Sequence, residues 1–231
     1  MYLSKLVLNA RDRQARCDLA QPYEMHRTLW RGFPDTEPGR VLFRVDADRF
    51  GADPVILVQS DLRPRWERLH QVNPRYLLAP PDCKEFQPSF PPGQRLRFRL
   101  RANPTKKAGS SSKEDRMAGK KENGQRIAFL REEEQLAWLL RKGEQGGFRV
   151  PGHWMQEKDG RKLPNFRVQL IPEGWVHCSK NGYTEGRFFA VRFEGLLDVT
   201  EPAQLQQTLA DGIGPAKGFG FGLLSLARAE G

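Results

Sequence analysis

Apolar and polar positions along this 231-residue chain fall into two successive blocks with the same rhythm. Residues 2–9 set Leu6 and Leu8 against Leu3 and Val7, an alternation that predicts a strand. After a polar loop, residues 19–33 predict a helix with Met25, Leu29 and Gly32 on one side and Tyr23, His26, Arg27 and Trp30 on another. Residues 41–46 and 55–59 predict two strands, and Pro64 with Trp66 opens a short helix. Pro80-Pro81 and Pro91-Pro92-Gly93 bracket a stretch without periodicity, which reads as a linker.

The second block opens at residues 95–103, where Leu96, Phe98 and Leu100 alternate with Arg95, Arg97, Arg99 and Arg101. Residues 104–125, rich in Lys, Ser and Gly, read as a flexible basic insertion. A helix over 132–142 buries Leu136, Leu139 and Leu140, and Gly146-Gly147 closes it. Residues 166–171 predict a strand, and 175–179 with 187–199 a hairpin turning at Lys180-Asn181-Gly182. Thr200 caps a further helix, Pro202 lies in its first turn and Gly212 stops it. A glycine-rich loop, 214–222, then leads into Leu223-Leu224-Ser225-Leu226. Each block runs strand–helix–strand–strand–helix–strand, the ferredoxin-like order. The expected fold is α+β, with two tandem ferredoxin-like (RRM-like) domains over residues 1–90 and 91–231. Trp154 and Trp175 are expected in the core.

Composition narrows the function. Hydrophobic residues make up 38% of the chain, which excludes a disordered acidic tail. No apolar run approaches the roughly 18 residues of a membrane span, and no membrane partner is expected. The three cysteines, Cys17, Cys83 and Cys178, show neither disulfide nor zinc spacing, so a reducing cytoplasm fits. Lys and Arg outnumber Asp and Glu by 38 to 28, giving a net charge of +10. Such an excess marks either a phosphate-backbone binder or a generally basic surface. The four alternating arginines favour the first, because aligned guanidiniums repel unless an anion lies across them.

Two constellations could carry chemistry. The run from Gly212 to Gly222 follows a helix and opens a strand, the reverse of a dinucleotide fingerprint, and it lacks the P-loop order. Its amides and Lys217 could meet phosphates, or its glycines could serve a loop needing positive φ; both readings stand. Tyr23-x-x-His26-Arg27 offers an imidazole suited to proton transfer, a hydroxyl one turn away and a cation for phosphorane charge. The alternative is a surface helix whose histidine has no role. His70, His153 and His177 are scattered, and no paired carboxylate motif suggests Mg²⁺, so nuclease chemistry here would be metal-free and cofactor-free. The hairpin around Lys180, with His177 and Arg187, is a third basic element, either an RNA-groove probe or a charged edge that resists aggregation.

Four motifs together resemble the CasE family, the CRISPR RNA-processing endoribonuclease subunit of type I-E Cascade. They are Asp18-Leu19-Ala20-x-Pro22-Tyr23-Glu24-Met25-His26-Arg27-Thr28-Leu29, the run from Leu96 through Lys106, Val191-x-Phe193-Glu194-Gly195, and Gly212 through Ser225. The resemblance implies metal-independent cleavage of precursor CRISPR RNA at the 3′ base of each repeat stem-loop, leaving a 2′,3′-cyclic phosphate. It assigns catalysis to His26 with help from Tyr23. The histidine is expected to protonate the leaving 5′ oxygen while the tyrosine aligns the 2′-hydroxyl, so DNA would be bound uncut. RNA contacts are expected from Arg27, Arg95, Arg97, Arg99, Arg101, Lys106, Lys180, Arg187, Gly214 and Lys217. The enzyme is expected to stay on the mature guide and to join Cascade beside its backbone subunit. Rival readings are a non-catalytic tandem RRM-like binder and a structural Cascade subunit without catalysis. For the first, Lys217-Gly218-Phe219-Gly220-Phe221-Gly222 begins like an RNP motif but departs where Val belongs.

Overall fold

The computed structural model describes residues 1–33, 37, 39–46, 53–107, 126–156, 162–180 and 183–229. The N-terminal block forms β1 (Tyr2–Val7), α1 (Arg13–Ala20), α2 (Pro22–Trp30), β2 (Val41–Asp46), β3 (Val55–Ser60), α3 (Glu67–Val72) and β4 (Asp82–Glu85). Its antiparallel sheet has the order β2-β3-β1-β4, the ferredoxin-like arrangement. Leu6, Met25, Leu29, Phe43, Ile56, Val58 and Trp66 fill the core between sheet and helices.

Two expectations need correction here. The single helix over 19–33 is two helices, broken at Gln21, whose φ of −128° and ψ of 96° are extended. Pro22 has no N–H to continue α1, and it opens α2 at the position where that loss is harmless. The supposed linker holds β4, an exposed edge strand with no alternation of its own that pairs Asp82–Glu85 with Tyr2–Lys5 of β1.

The second block contributes β5 (Arg95–Ala102), β6 (Thr105–Lys107), β7 (Arg126–Ala128), α4 (Glu132–Gln145), β8 (Phe148–Arg149), β9 (Gly152–Gln156) and β10 (Lys162–Phe166). It continues through β11 (Val168–Lys180), β12 (Tyr183–Val199), α5 (Pro202–Asp211), a 3-10 turn (Lys217–Phe219) and β13 (Leu224–Arg228). The sheet order β11-β12-β5-β13 repeats the ferredoxin-like arrangement, so the α+β fold has two such units. Leu96, Phe98 and Leu100 pack beneath Leu139, Leu205 and Leu209 of α4 and α5. Trp138, 2% exposed and stacked on Phe193, is the large side chain of the α4 stripe, while Leu140 only borders it. Glu201, not Thr200, is the N-cap of α5, since Pro202 opens that helix.

The basic insertion is bracketed by a ribbon: β6 pairs with β7, and residues 108–125 lie outside the described set. The expected strand over 166–171 and the arm over 175–179 are one strand, β11. Its register slips by one residue at Pro172/Gly174, leaving Glu173 as the extra residue of a bulge. Trp154 and Trp175 are not core residues; they are 38% and 42% exposed.

Buried polar contacts join the two units. Arg44 on β2 is 3% exposed. It holds Asp46 through two hydrogen bonds, of 2.7 and 3.0 Å, and donates to Ser225 Oγ (2.9 Å) and the Arg99 carbonyl (3.3 Å). Gln59 on β3 donates to the Leu209 carbonyl at 2.6 Å. The β2 edge of the first sheet therefore abuts β5 and β13 of the second.

Candidate active site and nucleic-acid interface

Helix α2 buries Met25, Thr28 and Leu29, which leaves His26 half-buried at the margin and Arg27 and Trp30 exposed. The helix is held from several sides. Asp12 caps α1 through the Ala15 N–H (3.0 Å), and Asp18 accepts a 2.7 Å hydrogen bond from the buried Tyr76 hydroxyl. Burial pushes the Asp18 carboxyl above its usual range, a rise that the Tyr76 bond opposes. At the start of α2, Gln21 Oε1 accepts from Ser179 Oγ of β11 at 3.1 Å.

The glycine-rich segment, which belongs to the second unit, closes over this helix. Phe219 stacks on Phe188 of β12 at 5.0 Å, and Gly220 packs so tightly on Phe43 that a methyl group there would sit 3.0 Å from its ring. Gly212, Gly214, Gly220 and Gly222 all have φ between +73° and +88°, so these four answer to backbone geometry. Gly218 differs: its φ is ordinary, and it lies against the imidazole, where an added Cβ would be 3.8 Å from Nε2 of His26. Lys217 is its neighbour.

Burial moves the His26 pKa below the usual histidine range, which favours the neutral ring. Its Nε2 accepts a 2.8 Å hydrogen bond from the Trp30 indole N–H. Tyr23 occupies the same helix face one turn earlier.

Beside the turn runs a groove of about 670 Å³ lined by Lys106, Lys107, Arg126, Arg141, Lys142, Gly214 and Lys217. Asp211 is its only lining carboxylate among the described residues. None of these six cations has a carboxylate within ion-pair distance among the described residues. Burial and the nearby Arg40 and Lys142 push the Lys217 ammonium below its ordinary pKa, while Asp211 opposes this. Three expected contacts, Lys106, Gly214 and Lys217, meet here. Lys107, Arg126, Arg141 and Lys142 were not foreseen, although Lys107 adjoins Lys106 and the Arg141-Lys142 pair ends a helix whose other side is apolar.

The arginine face is arranged differently. Arg95 pairs with Asp198 (2.7 Å), Arg99 with Glu194 (2.9 Å) and Asp46 (3.5 Å), and Arg101 with Glu173 (2.6 Å). The anion that the alternating arginines require is thus supplied by the protein itself. Arg97 is exposed with no carboxylate partner among the described residues. Arg27 pairs with Glu24 at 3.0 Å across exposed helix surface, a weak contact. Arg187 lies over the Trp175 ring, 4.6 Å from its centroid. Lys180 ends β11, and its side chain lies outside the described residues. Also among the described residues, no three His, Cys, Asp or Glu side chains gather as metal ligands, and no helix is long and apolar enough to cross a membrane.

The family model described as CRISPR associated protein matches residues 1–228. The CRISPR-associated endoribonuclease Cse3 of Thermus thermophilus is 40% identical over 235 residues, covering 98% of this chain and all of the relative. The CRISPR system Cascade subunit CasE of Escherichia coli is 31% identical over 229 residues, with 98% and 99% coverage. The structure superposes on Thermus thermophilus Cse3, bound to an RNA representing a pre-cleavage complex, with a TM-score of 0.79, 39% identity and 98% of each chain covered. With residues 1–228 matched by the family model and 98% of the chain aligned to each of these relatives, this chain belongs to the Cse3/CasE family of CRISPR-associated endoribonucleases.

Proposed function

We propose that this protein cuts precursor CRISPR RNA at the 3′ base of the repeat stem-loop, stays on the product hairpin and serves as a Cascade subunit in the cytoplasm, the two units dividing near residue 90. The observation that carries the reading is the placement of His26 against Gly218 at the rim of a groove whose cations lack carboxylate partners among the described residues. A folded stem supplies phosphates at close, regular spacing, and a groove of lysines and arginines matches that demand without reading sequence. Lys106, Gly214 and Lys217 are the expected contacts that lie in it. Arg97 and Arg187 add exposed cations, whereas Arg95, Arg99 and Arg101 would have to leave their carboxylates, and Arg27 its Glu24.

The chemistry needs no external nucleophile. The ribose 2′-hydroxyl loses its proton, its oxygen bonds to phosphorus, the P–O5′ bond breaks and the 5′ oxygen gains a proton, leaving a 2′,3′-cyclic phosphate. The acid role expected for His26 requires a protonated ring, but burial favours the neutral one. The proton of the 2′-hydroxyl is the one the reaction itself provides, so Nε2 collects it and the imidazolium then serves the leaving oxygen. Tyr23 aligns the 2′-hydroxyl.

The test is cleavage of a synthetic repeat hairpin in EDTA by the native chain and by His26→Ala. Cleavage should fall by about 10²–10⁴-fold while hairpin affinity stays within twofold. A binder without catalysis, RRM-like or structural, would shift the hairpin intact in both cases, and undiminished cutting by His26→Ala would refute the assignment.

A further inference from the structure

An indole N–H can only donate, so the 2.8 Å contact from Trp30 Nε1 to His26 Nε2 fixes which imidazole nitrogen carries a lone pair. A neutral ring has one N–H, which must then be on Nδ1. Trp30 follows His26 by one helical turn, the spacing at which side chains meet, and their ring centroids lie 5.2 Å apart. Phe43 of β2 approaches the ring from another side, with centroids 6.4 Å apart, and contributes no charge. Among the described residues, its own helix carries the mutually paired Glu24 and Arg27, and the 3-10 turn packed against α2 carries Lys217.

We propose that Trp30 is a positioning residue for His26: its N–H selects the Nδ1–H tautomer and holds Nε2 as a proton acceptor until the RNA takes the place of the indole. The proposal deepens the catalytic reading of His26 and rests on it. Trp30 is 41% exposed, so the indole can swing toward solvent when a substrate hydroxyl arrives. On the side of the 3-10 turn no side chain covers Nε2, because the residue facing it is Gly218, whose added Cβ would lie 3.8 Å away. Protonation of Nε2 would turn the contact into donor against donor, so the indole also opposes premature charging of the ring. The bond thereby keeps the ring ready to take the 2′-hydroxyl proton and disfavours its arriving already protonated.

The experiment uses the full chain labelled with ¹⁵N in histidine, with the His26 signals assigned by their loss in His26→Ala. In the native protein Nε2 should show the shift of an unprotonated nitrogen and Nδ1 that of an N–H, with titration below the usual histidine range. Trp30→Phe keeps an aromatic ring but removes the donor. It should mix the two tautomers and strengthen protonation about fivefold, the equivalent of one ordinary hydrogen bond. The acid limb of single-turnover cleavage should move to higher pH by the same factor. A structural role for Trp30 would alter melting without changing the tautomer. An unchanged tautomer and titration in Trp30→Phe would overturn the proposal even if His26→Ala abolishes cleavage. A tautomer change alongside full activity of His26→Ala would uphold the Trp30–His26 coupling and refute the catalytic reading instead.

Discussion

The guanidiniums of Arg99 and Arg101 rest on Glu194, Asp46 and Glu173, whereas the six cations of the groove beside Lys217 share one lining carboxylate, Asp211, among the described residues. Both regions have the positive charge that marks a polyanion binder. In the first, the charge is balanced inside the protein and helps to fasten sheet to sheet. In the second, it is left without carboxylate partners among the described residues, and Lys217, whose pKa is lowered first by burial and then by Arg40 and Lys142, sits within it; a polyanion relieves such unbalanced charge. A dense row of cations therefore does not by itself locate an interface. What matters is whether carboxylates from distant segments reach it.

The comparison breaks most visibly at Arg44, which adjoins the balanced face. Arg44→Met leaves Asp46 partly buried without its main partner and strips the Ser225 and Arg99 carbonyl contacts, at a cost of about 3 kcal/mol in urea unfolding. A loss well under 1 kcal/mol would show that the paired face does not hold the units together. RNA binding sharpens the contrast. Lys142→Ala and Lys217→Ala should each weaken hairpin binding about fivefold to tenfold and lower the slope of log affinity against log salt by about one. Arg99→Gln should leave that slope unchanged and register in stability instead; equal slopes for all three variants would erase the distinction. The smallest effect concerns acid. The hydrogen bond from Arg95 holds the Asp198 carboxyl below its usual range, with Arg149 adding to it. Its stabilisation is present above the unfolded pKa of about 3.9 and disappears as pH falls through the lower folded value. Asp198→Asn should flatten that part of the stability profile in acid unfolding, and a profile identical to that of the native chain would refute the assignment.

The alternation of Leu96, Phe98 and Leu100 with arginines placed β5 and its faces correctly, and Met25 with Leu29 marked the buried side of α2. These signals are local, produced by side chains that face one core. What the sequence did not disclose depends on pairing at a distance. Strand β4 exists because β1 offers it an edge, and the β9–β10 ribbon, with every β9 residue exposed, has no buried face to set a period. The break at Gln21 was legible in Pro22, which favours a helix start over a helix interior. In the site, the spacing of His26 and Trp30 put both on one helix face, but not the direction of the hydrogen bond between them. The approach of Gly218 to His26 is a contact between the two units that no local pattern encodes.

Glu173 is the surplus residue of the β11 bulge, with Pro172 opposite Val191 and Gly174 opposite Ala190 on either side of it. A chain shorter by that one codon would keep both neighbouring pairs in register and forfeit the carboxylate that Arg101 and Arg192 share. Related proteins could then differ in whether this surface seeks an outside counter-ion through a change in strand length alone, with every arginine retained. A comparison restricted to substitutions would overlook that difference.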